Sequence, residues 1–248
     1  MNNKSKIKIN QDFFKTWSCE MSYVLGFVVA DGCVIKRKNG IDSYVFNITS
    51  KDKGILEKIK KALKSEHNIG IKYNSLGMLY SQMQICNREI CKDLIKLGIE
   101  PRKTYNLKPI EVPKKYFSDF TRGFFDGDGS AYIYNVNNTP QIKSSFVCAS
   151  LPFLEDFNKK LCKTLNISEK SIHENIDKTG KRIARYDIHF YIDDSEKLAE
   201  FMYDDNSTLH LDRKKEIFDR WKSIKRRHYK KENYPSKIGW NPNPKVTA

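Results

Sequence analysis

No apolar run in the sequence approaches the roughly 18–20 residues that a membrane-spanning helix needs. The first residues, MNNKSKIKINQDFF, carry no hydrophobic segment of a secretory signal. The expectation is a soluble, intracellular protein with no membrane partner. Cysteine is sparse and scattered: six residues, at 19, 33, 86, 91, 148 and 162, with no C-x-x-C pair. That excludes zinc-ligand and redox spacings and leaves reduced core residues. Residue 1 is not a Cys or Ser nucleophile and the chain does not end in His-Asn, which argues against an intein origin. Negative charge is in deficit, with 30 Asp+Glu against 45 Lys+Arg over 248 residues and a formal charge of +15. Such an excess points to a polyanionic partner, here nucleic acid, against the competing reading of a merely solvated basic surface. The abundance of Lys, Ile, Asn and Tyr suggests an AT-rich genome, whether organellar, bacterial or phage.

What the chain does contain is a repeat. SYVLGFVVADGCVI, from Ser22, aligns with DFTRGFFDGDGSAYI, from Asp119, so that Gly26, Ala30, Asp31 and Gly32 fall on Gly123, Gly127, Asp128 and Gly129. The register is 97 residues, 128 minus 31. Downstream, GILEKIKKAL at 54–63 matches PFLEDFNKKL at 152–161 at a register of 98, 154 minus 56. Two separate matches at nearly one register mark a duplication.

Each copy reads alike. After the Asp-Gly come two strands (33–38 and 43–49; 131–136 and 141–149), the aligned amphipathic helix, two more strands (69–74 and 78–86; 170–177 and 182–191) and a further helix (88–97; 194–204). The later hairpin closes through Asp177-Lys178-Thr179-Gly180, and the second copy adds a helix at 212–225. The fold class is α+β, two pseudo-symmetric αββαββα halves. Residues 1–16 form an N-terminal arm, 17–100 the first half, 101–117 a Pro-containing linker expected to be extended, 118–225 the second half, and 226–248 a basic tail that lies along a nucleic acid or is disordered.

Alone, FFDGDGSAYI reads as a turn, since Asp and Gly between ordered segments usually make one. A calcium loop fails on spacing, because Ala131 and Asn137 stand where Gly and Glu are needed. Small residues four apart in each preceding helix, Gly26 and Ala30, Gly123 and Gly127, suggest two helices packed at close backbone approach, which would place Asp31 beside Asp128. At ~6 Å and an effective dielectric of ~20 two carboxylates repel by roughly 3 kcal/mol. Helix C-termini add further negative potential, so the pair suits hard divalent cations.

LGFVVADG and TRGFFDGDG, so paired and spaced, resemble the two motifs of the LAGLIDADG homing endonucleases in their single-chain form, over about residues 15–225. The resemblance implies motif helices packed at the centre, with a curved antiparallel sheet from each half straddling DNA as a saddle. It implies a monomer that hydrolyses both strands of a long asymmetric double-stranded site with Mg²⁺, for which Mn²⁺ or Ca²⁺ can substitute in binding. Asp31 and Asp128 become the catalytic metal-binding acids, with the backbone carbonyls of Ala30 and Gly127 as further ligands. Val29 departs from the pattern where the second motif has Asp126, an acid the resemblance does not assign to the metal. Lys103 and Lys214 match a basic residue that orders or polarises the attacking water; for either, a phosphate contact or solvated charge is the other reading. An RNA maturase acting on its host intron RNA, or a non-cleaving DNA-binding protein, is the alternative function on this scaffold.

Alternation in the strands supplies a polar face for bases: Tyr80, Gln82 and Gln84; Gln141, Lys143 and Ser145; Arg185, Asp187 and His189; and Tyr132 and Tyr134 at the start of the second sheet. Ordinary solvent-facing strand residues are the competing reading for each. Lys36, Arg37, Lys38, Lys72, Lys181 and Arg182 fall near hairpins, where phosphates pass.

Overall fold

A computed structural model of the protein describes residues 7–37, 44–176, 183–203 and 209–228. The hairpin residues Lys38, Lys181 and Arg182, the turn at 177–180 and residues 229–248 of the tail lie outside these. Among the described residues no helix is long and apolar enough to cross a membrane.

The first half runs α1 (Cys19–Asp31), β1 (Gly32–Lys36), β2 (Tyr44–Ser50), α2 (Lys53–Ala62), β3 (Ile69–Tyr73), β4 (Leu79–Ile85) and α3 (Arg88–Lys96). The second runs α5 (Phe117–Asp128), β5 (Gly129–Val136), β6 (Thr139–Cys148), α6 (Leu151–Leu165), β7 (His173–Asn175), β8 (Arg185–Tyr191), α7 (Ile192–Met202) and α8 (Asp212–His228). Each half builds one antiparallel four-stranded sheet with equivalent order, β1-β2-β4-β3 and β5-β6-β8-β7. Two expectations are corrected. Of the strand predicted over 170–177, the described residues 170–176 form only the three residues of β7. The linker is not wholly extended: Lys103–Asn106 form a short helix, α4, and Lys114–Tyr116 a 3₁₀ turn.

Local chemistry explains several boundaries. Ser18 caps α1, its hydroxyl accepting from Met21 N at 3.1 Å, and Asn87 and Ser150 do the same for α3 and α6. The β5–β6 hairpin turns on Asn137 and Asn138, with φ of 47° and 63°. Positive φ at both central residues is the two-residue turn whose twist matches the flanking strands, and asparagine tolerates it.

Nine consecutive residues of α1, Met21 to Val29, are buried. That is the signature of a helix enclosed on all sides, and its main partner is α5. The remaining helices cover one face of each sheet. In the first, Val34, Phe46, Ile48, Met83 and Ile85 line the covered face; in the second, Phe146 packs against Phe124 and Phe157 with ring centroids 5.3 and 5.0 Å apart. Among the described residues the other face of each sheet carries no helix layer of its own half.

Candidate active site and nucleic-acid interface

The small residues do what their spacing predicts. A Cβ on Gly26 would fall on the Phe120 carbonyl and 2.8 Å from Phe124 N; one on Gly123 would fall on the Tyr23 carbonyl and 2.9 Å from Phe27 N. One on Gly127 would collide with the Ala30 methyl. Backbone therefore meets backbone along α1 and α5, and both helices end at the same level, in Asp31 and Asp128.

There the Asp128 charge bears on Asp31. Burial pushes the Asp31 pKa from 3.8 to about 7, with the Asp128 charge as the next cause, opposed by Lys214, Lys103 and Arg213. Asp128 keeps an exposed side chain, yet crowding by the helix ends displaces enough water to raise its pKa too, against the pull of Lys103 and Lys214.

Both candidate lysines converge on this point, and neither is a solvated charge. Lys103, buried in α4, donates from Nζ to the carbonyls of Val29 and, at 3.1 Å, Ala30. Lys214, buried in the first turn of α8, donates to the carbonyls of Phe125, Asp126, Gly127 and Gly129 at 2.7, 2.8, 3.2 and 2.6 Å. Each ammonium thus closes the C-terminal end of one motif helix, where unpaired carbonyls and the helix dipole favour a cation. Burial lowers both pKa values, that of Lys214 to about 8. The carbonyls of Ala30 and Gly127 each accept from a lysine, at 3.1 and 3.2 Å.

Register places most of the strand candidates on the open faces. Tyr80, Gln82 and Gln84 sit opposite Lys72, Thr49 and Asn47. In the second sheet Tyr132 and Tyr134 pair with Lys143 and Gln141, while Ser145 sits between Ser130 and His189, and Asp187 opposite Val147 and His173. Arg185 shares that face across from Asn175. Several are already engaged: Tyr134 donates to Gln141 at 3.0 Å, Asn175 to Asp187 at 2.6 Å, and His189 Nε2 lies 3.0 Å from Asp187. Ser145 is buried, its hydroxyl 2.8 Å from that of Ser130. Lys36 pairs with Tyr44 on the opposite face at the sheet end, and Arg37 reaches Cys86 Sγ at 3.1 Å. Sequence reasoning missed Asn47, Thr49, His173 and Tyr191 on the open faces; carrying the period-2 alternation one strand further would have found them.

It also missed the use of Asp126. This buried carboxylate accepts from Tyr23 Oη and Leu211 N, both at 2.7 Å, and from Tyr203 Oη at 3.3 Å. Burial still pushes its pKa to about 6.

Comparison with known proteins agrees with this geometry. Residues 18–93 match the model of the LAGLIDADG-like domain. An uncharacterized protein of Methanocaldococcus jannaschii is 29% identical over 186 residues, 73% of this chain and 61% of that protein, so the chain spans about three-fifths of this curated relative's length. Among solved structures, the homing endonuclease I-WcaI bound to its DNA recognition sequence has a TM-score of 0.52 at 16% identity, covering 88% of this chain and 94% of its own. The LAGLIDADG homing endonuclease I-GzeII in complex with DNA target has a TM-score of 0.51 at 13% identity with the same coverage of both chains. At such identities the likeness is one of fold, the two-half saddle. Residues 18–93 match the LAGLIDADG-like domain, the second half repeats the fold of the first, and the chain as a whole is similar in fold to the DNA-bound homing endonucleases named above.

Proposed function

We propose that the protein is a site-specific endonuclease that hydrolyses both strands of a long, asymmetric double-stranded DNA site with divalent metal ions. The observation that carries this reading is the meeting of Asp31 and Asp128 at the adjoining ends of two helices, between two open sheet faces of a strongly basic chain. A protein that only bound DNA would have no use for paired negative charge at the centre of its DNA-facing surface.

The donor set fits a hard cation. Among the described residues no group of three or more His, Cys, Asp or Glu gathers for a metal. Two carboxylates, with the Ala30 and Gly127 carbonyls beside them, would leave coordination positions for water and phosphate oxygens, as Mg²⁺ prefers. The raised pKa of Asp31 supports the fit, because a bound cation would offset the burial, and then the Asp128 charge, that disfavour its ionised form. When bound, such an ion supplies Lewis acidity toward the scissile phosphate and activates water.

The chain's own groups do the rest. Lys103 and Lys214 bring positive charge beside the carboxylates, where it offsets charge developing on phosphate. With its pKa near 8, Lys214 can also release or take up a proton at mildly alkaline pH. Gln82, Gln84, Gln141 and Arg185 offer side chains suited to base edges, and Lys72 and Lys143 to phosphates. Because the two open faces differ residue by residue, the two half-sites they read should differ too.

The test is selection of cleaved products from a randomised duplex library in Mg²⁺, followed by assay of Asp31→Asn and Asp128→Asn on the selected site. Loss of cutting with retained binding is expected. Cutting of both strands at the parent rate by either variant refutes the assignment, and binding without cutting by the parent leaves a DNA-binding protein on this scaffold.

A further inference from the structure

Asp126 stands two residues before the acid of the second motif, yet its carboxylate faces inward. Tyr23 Oη and the main-chain N of Leu211 both donate to Oδ2 at 2.7 Å. Leu211 immediately precedes α8, and its carbonyl accepts from the main-chain N of Lys214 and Lys215 at 3.0 and 3.2 Å. It therefore sets the first turn of α8, the turn that carries Lys214. From there the Lys214 ammonium reaches back to the carbonyl of Asp126 itself at 2.8 Å. The result is a closed circuit: Asp126 carboxylate, Leu211, Lys214, Asp126 carbonyl.

Among the described residues the first half shows no such circuit. At the register of 97, Val29 takes the place of Asp126 and Phe120 the place of Tyr23, and both are buried apolar side chains. At this pair of positions the carboxylate of Asp126 faces the phenol of Tyr23, a partner that burial of a charge requires, while Val29 needs none. Lys103 sits in a four-residue helix whose preceding residue, Arg102, adopts φ 63° and makes no side-chain cap. It bonds two carbonyls where Lys214 bonds four.

We propose that Asp126 is a positioning residue: through the N–H of Leu211 it holds the first turn of α8 and so seats Lys214 at the end of α5, a device with no counterpart for Lys103. The two reaction centres are then supported unequally, so that loss of Asp126 slows the cutting of one strand more than the other. That consequence rests on the proposed nuclease activity; the seating of Lys214 does not.

The experiment uses the full chain and two variants. Tyr23→Phe/Asp126→Val reproduces the apolar pair of the first half, a type of replacement that often preserves stability. Asp126→Asn keeps an oxygen that can accept from Leu211 N. Pulsed acylation with acetic anhydride, read by mass spectrometry without DNA, compares Lys214 with Lys103 as internal reference. Both lysines should label slowly in the parent and in Asp126→Asn. In the double variant Lys214 should label roughly tenfold faster or more while Lys103 is unchanged, the size expected from losing one charged hydrogen bond. A Lys214 that stays protected, both lysines speeding up together, or deprotection in Asp126→Asn overturns the proposal. On a supercoiled plasmid carrying the selected site, the double variant should accumulate nicked circles, and equal slowing of both strands overturns the unequal support. A parent that never cuts refutes the nuclease reading and leaves the labelling to decide about Asp126.

Discussion

Replacing Gly26 by alanine probes the close backbone approach of α1 and α5. The new methyl would fall on the carbonyl oxygen of Phe120, 2.8 Å from Phe124 N and 3.0 Å from the Phe120 carbonyl carbon. These are main-chain atoms of α5, so no change of rotamer relieves the overlap and the helices must part. Overpacking costs about 1–3 kcal/mol where neighbours can yield; against backbone the upper end, about 3 kcal/mol, is the expectation. For a chain of this size roughly 2–4 °C is lost per kcal/mol, so the melting midpoint should fall by about 6–12 °C. Gly54→Ala is the control with opposite sign. Gly54 lies in α2 with nothing within 4 Å of an added Cβ. There alanine removes the backbone-entropy penalty of glycine, about 0.5–1 kcal/mol, and should raise the midpoint by roughly 1–4 °C. Parting the helices also moves Asp31 relative to Asp128, so Gly26→Ala should lose stabilisation by Mg²⁺ while Gly54→Ala keeps it. Thermal scans of the three proteins with and without Mg²⁺ read all of this. A Gly26→Ala midpoint within about 1 °C of the parent would refute the close approach, since the clash has no cheaper release.

Asp31 titrates near 7 in the folded chain against 3.8 ordinarily, so its ionised form is penalised by the fold and stability falls as pH rises from about 4 to 7. In EDTA, Asp31→Asn should match the parent below pH 4 and exceed it by about 2 kcal/mol at pH 8, allowing for water that still reaches the carboxylate; an unchanged gap across scans at pH 4 and 8 contradicts this. Lys143, on the open face with its ammonium 5.3 Å from the Tyr191 ring, is expected to contact phosphate. Lys143→Ala should lower the slope of log affinity against log salt by about 1, measured by fluorescence anisotropy on the selected duplex. The Arg213–Asp52 pair, 2.9 Å apart with Arg213 exposed and Asp52 half-buried, ties α8 to the first half. Asp52→Asn should change stability by less than about 1 kcal/mol in urea titrations, as screened surface pairs do.

Much of the fold was legible because a duplicated chain states its pattern twice. Strand alternation in LYSQMQI and QIKSSFVC, the amphipathic helix at 54–63 and its copy at 152–161, and paired glycines at one register all reported on local geometry, which local spacing encodes. The linker helix Lys103–Asn106 and the shortness of β7 were not legible. The first is held by Lys103 reaching the end of α1, and the second by how little of the chain near 173 finds a partner in β8; both are tertiary decisions. The lysines illustrate the same division. Their sequence context allowed water-ordering, phosphate contact or simple solvation, and only burial against carbonyls of α1 and α5 removed the last.

The sequence by itself determined that there are two equivalent halves, that each ends its first helix in an acid, and that small residues would let those helices meet. These are matters of spacing, and spacing survives without coordinates. Only the tertiary structure decided that Asp126 turns inward to Tyr23 and Leu211 while Asp128, two residues on, reaches solvent. Successive carboxylates on one helix differ by direction, and what lies in each direction comes from residues about a hundred positions away.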